Sequence, residues 1–222
     1  MNRRTFFKAM VGGALLALPK SVMAQSIGGE GHEFVPEGTT DELEVVSVHV
    51  IHSDSLVALI RNNTKEAVGI RSVKAIARQD GELVALGDIS DVGPYRVEAG
   101  EFAIARVYIG EPSIEDDWEF EFDIEHEEPE EDGPIDVEII EASIGGEGVL
   151  GVMKNTHDFS VFGPFTLVGL AFDAKGDVVS DFIEYVGGNE LKSGDTEVFE
   201  ANLNGSEEPF VSFIIAITGY TY

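Results

Sequence analysis

The sequence predicts an all-β chain folded as two tandem antiparallel β-sandwiches. Three observations predict it: short apolar runs divided by turn residues, a recurrence of those runs and turns at a spacing of about 94 residues, and no long stretch with helical periodicity. In the first half Leu43–Val50 and Leu56–Ile60 read as two strands, followed by the turn Asn62-Asn63-Thr64-Lys65. Ile70–Arg78 alternates imperfectly, Gln79-Asp80-Gly81-Glu82 turns it, and Leu83–Gly87 runs back as the hairpin partner. Pro94–Val97, the turn Glu98-Ala99-Gly100-Glu101, and strands at Phe102–Ile109 and Trp118–Ile124 complete the half.

The second half repeats this order, with Val137–Ile144 as its opening strand and Val149–Met153 running into Lys154-Asn155-Thr156, the counterpart of Arg61-Asn62-Asn63. Arg61 to Lys154 is 93 residues, Gly81 to Gly176 is 95 and Gly100 to Gly194 is 94, so the turns keep step with the strands. About seven short strands per unit, with turn signals every 8 to 12 residues or so, are the pattern of a β-sandwich. The domain reading that results is a leader over 25–40, sandwiches over 41–124 and 135–222, and between them 125–134, a charged run broken by Pro129 and Pro134 that reads as a linker.

Residues 1–24 read as an export signal: Arg3, Arg4 and Lys8, an apolar run over Ala9–Leu18, and small residues ending at Ala24 as the processing site. Asn2-Arg3-Arg4-Thr5-Phe6-Phe7-Lys8 resembles the twin-arginine pattern, with Arg3 and Arg4 as the pair read by the translocase. The run of about ten apolar residues falls short of the ~20 that span hydrocarbon, so no transmembrane segment is expected after processing. An extracytoplasmic address follows: secreted, periplasmic or associated with the cell envelope.

Charge narrows the partners. The 222 residues include 42 acidic and 14 basic side chains and no cysteine, for a formal charge of -28. Residues 1–24 carry four basic groups and no acidic one, so without them the charge is -32. Nucleic acid is excluded as a partner by repulsion from its phosphates, and the missing thiol excludes disulfides and cysteine-ligated metals. Self-repulsion of this size is screened within roughly 10 Å at ~0.1 M salt, and an acidic, lysine-poor chain resembles proteins of salt-loving prokaryotes.

Candidate chemistry is sparse, and no catalytic, cofactor-binding or metal-ligating set is assigned. His49 and His52, three apart on one strand, are expected to point to opposite faces, which makes them poor co-ligands. His32, His126 and His157 fall in leader, linker and turn. Glu115-Asp116-Asp117 reads as a solvated acidic run, and Asp173-Ala174-Lys175-Gly176-Asp177 as a hairpin turn rather than a calcium loop. Asn62-Asn63-Thr64 and Asn204-Gly205-Ser206 fit the N-glycan acceptor pattern.

Gly151-Val152-Met153-Lys154-Asn155-Thr156, then Leu170 through Val179, then Leu191-Lys192-Ser193-Gly194-Asp195 with Phe199, resembles the FxLYD family of small extracytoplasmic immunoglobulin-like domains. The first half departs from it at Ala77-Arg78-Gln79-Asp80-Gly81, which lacks the aromatic-Asp pair. The resemblance implies an immunoglobulin-like topology and no catalytic residues. The expected function is therefore a non-enzymatic role in interaction or structure at the cell envelope, with the twin-arginine translocase as partner during export and an envelope protein or polysaccharide afterwards. A secreted hydrolase or metal-dependent enzyme is the alternative, and an accessory subunit of an exported redox complex the second.

Overall fold

Alternation makes most of the strands. In Glu119–Glu127 every second residue, Phe120, Phe122, Ile124 and His126, is buried, while the acids between them stay partly exposed. The computed structural model describes residues 3–10 as backbone, and 42–115, 117–129, 133–146, 148–203 and 209–221. Its regular structure there is entirely β: β1 (Arg3–Met10), β2 (Leu43–His52), β3 (Ser55–Asn62), β4 (Val68–Gln79), β5 (Glu82–Gly93), β6 (Arg96–Val97), β7 (Phe102–Tyr108), β8 (Glu119–Glu127), β9 (Pro134–Gly145), β10 (Gly148–Lys154), β11 (Val161–Phe172), β12 (Val178–Val186), β13 (Glu190–Leu191), β14 (Thr196–Asn202) and β15 (Ser212–Tyr220).

The chain divides into two units, one holding β1 to β8 apart from Gly93–Tyr95, the other β9 to β15 with those three residues. In the first the strand order is β1-β8-β4-β5-β7-β3-β2, with β6 beside β4. In the second it is β12-β11-β15-β9-β10-β14, with β13 beside β11. β9 serves two neighbours: Pro134–Val137 pairs β15, and the strand from Glu138 onward pairs β10.

Each unit has its own core. Leu56, Ile60, Ile70, Trp118, Phe120, Phe122 and Ile124 pack in the first, and Met153, Phe165, Leu167, Phe182, Phe199 and Phe213 in the second. At about 25 cal/mol per Å² of apolar surface, such aromatic and aliphatic side chains supply most of the burial that offsets chain entropy. The β4–β5 hairpin closes through Asp80 at φ 52° and Gly81 at φ 83°, the two left-handed residues that a tight turn matching strand twist demands.

β5 runs on to Gly93, past the expected end at Gly87, because Asp88, Ser90 and their neighbours can face solvent while the strand continues. The acidic run 125–134 is not all linker. Glu125, His126 and Glu127 end β8, with His126 buried, and Pro134 begins β9. Alternation there continues through charged residues, so polarity marks the solvent face of a strand rather than the end of one.

Candidate functional site

The acids of β8 form a row along one face. On the β4 side Glu119, Glu121 and Asp123 stand opposite Arg78, Ile76 and Lys74, and Glu125 opposite Ser72. Arg71 forms an ion pair with Glu127, and Arg78 Nε lies 3.3 Å from Glu121. These pairs are partly exposed and each contributes at most about 1 kcal/mol. Their concentration is informative all the same, because three of the chain's 14 basic side chains stand on this one strand.

On its other side β8 pairs with β1 over eight positions, from Arg3 opposite His126 to Met10 opposite Glu119. The twin arginines thus occupy the sheet edge, Arg4 opposite Glu125. Residues 1–24 are expected to stand apart from the fold as a signal. The backbone of Arg3–Met10 is a strand, paired through the groups that the edge of β8 offers. Ala24, the leader 25–40, His32, Asp116 and Asn204-Gly205-Ser206 lie outside the described residues.

His49 and His52 do not fall on opposite faces. His49 pairs Val57 and His52 pairs Ser55, two residues apart on β3, because the register shifts between Val50 and His52. A bulge absorbs the odd spacing, a feature that no period-two reading contains. His126 has its Nε2 3.5 Å from the Glu42 carboxylate. His157 stacks on Phe159 with centroids 5.0 Å apart, its Nε2 3.1 Å from the Asp136 carbonyl oxygen. Asp117 and Glu115 accept hydrogen bonds from Gln79 Nε2 at 2.9 and 3.3 Å, holding the segment before β8 to the end of β4.

The most constrained polar groups are two asparagines. Asn155 is 0% exposed; its Nδ2 donates to the carbonyls of Phe159 at 2.7 Å and Leu191 at 2.8 Å, and its Oδ1 accepts from His157 N at 2.9 Å. Asn62, also 0% exposed, donates to Glu66 and Val97 at 2.8 and 2.9 Å and accepts from Thr64 N at 2.9 Å. The backbone repeats the match: Gly100 N donates to Asn62 O at 2.7 Å and Gly194 N to Asn155 O at 2.9 Å. Each asparagine therefore ties one strand end to two turns through its side chain and its backbone, and a buried amide so satisfied specifies a single loop arrangement. In the folded chain Asn62 offers no accessible amide to a glycan, contrary to its tripeptide pattern; the buried donor is fully engaged.

The resemblance-bearing residues act in packing and turns. Gly151 stands opposite Phe199, and a Cβ on it would lie 2.4 Å from the ring's Cζ. The corresponding pair in the first unit is Ala58 opposite Ala105, so a bare residue facing a large ring replaces two small ones. Asp173 caps its own hairpin, accepting from Lys175 N at 2.7 Å and Asp177 N at 2.9 Å. Desolvation pushes its pKa upward, but the backbone donors of Asp177, Lys175 and Gly176 with the nearby Lys175 charge together hold it below the usual 3.8.

The folded pKa of Asp173 is lowered, so its stabilisation is complete above the unfolded value and is lost as pH falls through the folded one. Asp173→Asn is expected to lower the urea midpoint slightly near pH ~6 and to match the parent near pH ~2. A difference between the two proteins that stays constant across that range would show that the charge takes no part in the turn.

Among the described residues no three histidine or acidic side chains gather as a metal site, and no helix is long and apolar enough to cross a membrane. No protein-family model matches the chain, and no curated protein matches it.

Proposed function

We propose that this is an exported, non-enzymatic protein of two tandem immunoglobulin-like β-sandwiches, the second of FxLYD type, serving interaction or structure at the cell envelope. The observation that carries the reading is the paired asparagine arrangement. Asn62 and Asn155 close their units with the same set of contacts, as expected of one scaffold used twice. The motif residues Gly151, Asn155, Asp173 and Gly194 work in packing and turns, so the resemblance concerns a scaffold and not a reaction. The acidic surface keeps such a scaffold soluble and tunes its encounters by charge. The twin-arginine translocase is the partner during export, and an envelope protein or polysaccharide the partner after it.

The test is export of Arg3→Lys with Arg4→Lys. Lysine keeps the charge but not the planar guanidinium, so the double variant is expected to stay in the cytoplasm at its precursor mass, with at least a tenfold fall in the exported fraction. Unchanged export on cell fractionation would overturn the reading.

A further inference from the structure

In the second unit the edge of β15 is taken by that unit's own first strand: Pro134 to Val137 pair with Tyr220 to Ile217. The same place in the first unit is Ile124–Glu127 of β8, since Ile124 stands opposite Val73 on β4 as Ile217 stands opposite Leu167 on β11. There the first strand of the unit is not the neighbour. β2 begins at Leu43 and pairs β3, and the edge of β8 is filled by Arg3–Met10, far away in sequence.

The register of that filling is selective. Arg4 and Lys8 stand opposite Glu125 and Glu121, on the acidic face of β8. Thr5, Phe7 and Ala9 stand opposite Ile124, Phe122 and Phe120, whose side chains are buried in the core. A slip of one residue either way would set Arg4 and Lys8 against the core-facing positions and leave only Arg3 opposite an acid. Two apolar residues face the acidic row in either case, Phe6 and Met10 here and Phe7 and Ala9 after a slip, so charge alone chooses the register, although it leaves Arg3 opposite the buried His126. The acidic row also acts against other occupants: a second β8 edge would bring like charges face to face, whereas a strand carrying cations at every fourth position matches it.

We propose that the outer edge of β8 is a strand-acceptor site for an extended segment that carries cations four residues apart, and that the chain's own Arg3–Met10 is its occupant. The mode is strand addition: backbone hydrogen bonds supply affinity, and the acidic row supplies choice. The proposal goes beyond the export reading and does not need it. If the chain is cut after Ala24 as that reading expects, the occupant leaves and the edge becomes a surface for a partner strand of the same chemistry.

The chain has no cysteine, so cross-linking tests this in the full-length protein. Phe6→Cys with Asp123→Cys places two thiols directly opposite one another and is expected to form an intramolecular disulfide under mild oxidation. Phe6→Cys with Glu127→Cys, four residues out of register, should react at least ~10-fold more slowly. Adding Arg4→Glu and Lys8→Glu to the first pair should lower its rate by about tenfold, since two attractive cross-strand pairs become repulsive. Equal rates for the two cysteine placements would overturn the site, as would a rate indifferent to the charge reversal. Disulfides that form between chains and rise with concentration would overturn the assignment of the occupant in cis.

Discussion

Asn155→Ala is expected to destabilise its unit by about 2–4 kcal/mol, the combined cost of leaving the buried Leu191 carbonyl, the partly buried Phe159 carbonyl and a backbone N–H without their partner. The amide reaches Phe159 O, Leu191 O and His157 N within 2.7–2.9 Å, and it is completely buried, so water cannot take its place without opening the loop. For a domain of this size such a loss lowers the melting midpoint by roughly 10 °C or more. Asn155→Asp is the stricter test. It keeps the acceptor for His157 but brings no donor to either carbonyl and buries a charge, so at neutral pH it is expected to be no better than alanine. Asn62→Ala should act in the same way on the first unit, where Trp118, the chain's one tryptophan, reports unfolding by fluorescence. Urea denaturation followed by far-UV circular dichroism and by that fluorescence measures both. A shift below about 1 kcal/mol for Asn155→Asp would mean that the amide does not organise the turns.

Gly151→Ala is expected to cost about 2–4 kcal/mol although it adds only one methyl group. The new Cβ would meet Phe199 Cζ at 2.4 Å and the Glu141 carbonyl oxygen at 2.7 Å, so ring and neighbouring strand must both shift. Phe199→Ala alone removes a buried ring from the core and is expected to cost about 3–5 kcal/mol. The combination recreates the Ala58 and Ala105 pair of the first unit. Its loss should therefore fall short of the sum of the single losses by roughly 1–2 kcal/mol, the mark of two side chains competing for one volume. Denaturant melts of the three variants measure this coupling. Additive losses would show that the steric conflict lies with the Glu141 backbone and that the two pairs are not interchangeable solutions.

The strands and tight turns were legible because they are local. The buried alternation of Phe120, Phe122, Ile124 and the turn signal at Asp80-Gly81 depend only on neighbours one or two residues away, and the all-β architecture follows from them. The spacing of the two asparagines was equally legible, but their task was not. In isolation Asn62-Asn63-Thr64 is an acceptor pattern as much as a turn, and only the arrival of Val97, 35 residues onward, engages the amide.

The same divide explains the remaining differences. The extra residue in the β2–β3 register arises from how two strands meet, so it turned His49 and His52 to one face against the period-two expectation. The acids at Glu125–Glu127 looked like linker because composition alone does not say which charges lie beside a core; the burial of His126 among them decides that. By itself the sequence determined an acidic, cysteine-free, all-β chain, since these are properties of composition and short-range order. Only the tertiary structure decided that Arg3–Met10 lies along β8. Strand partners are chosen by a register summed over many weak cross-strand pairs between segments more than 100 residues apart, and no local window of the chain contains that sum.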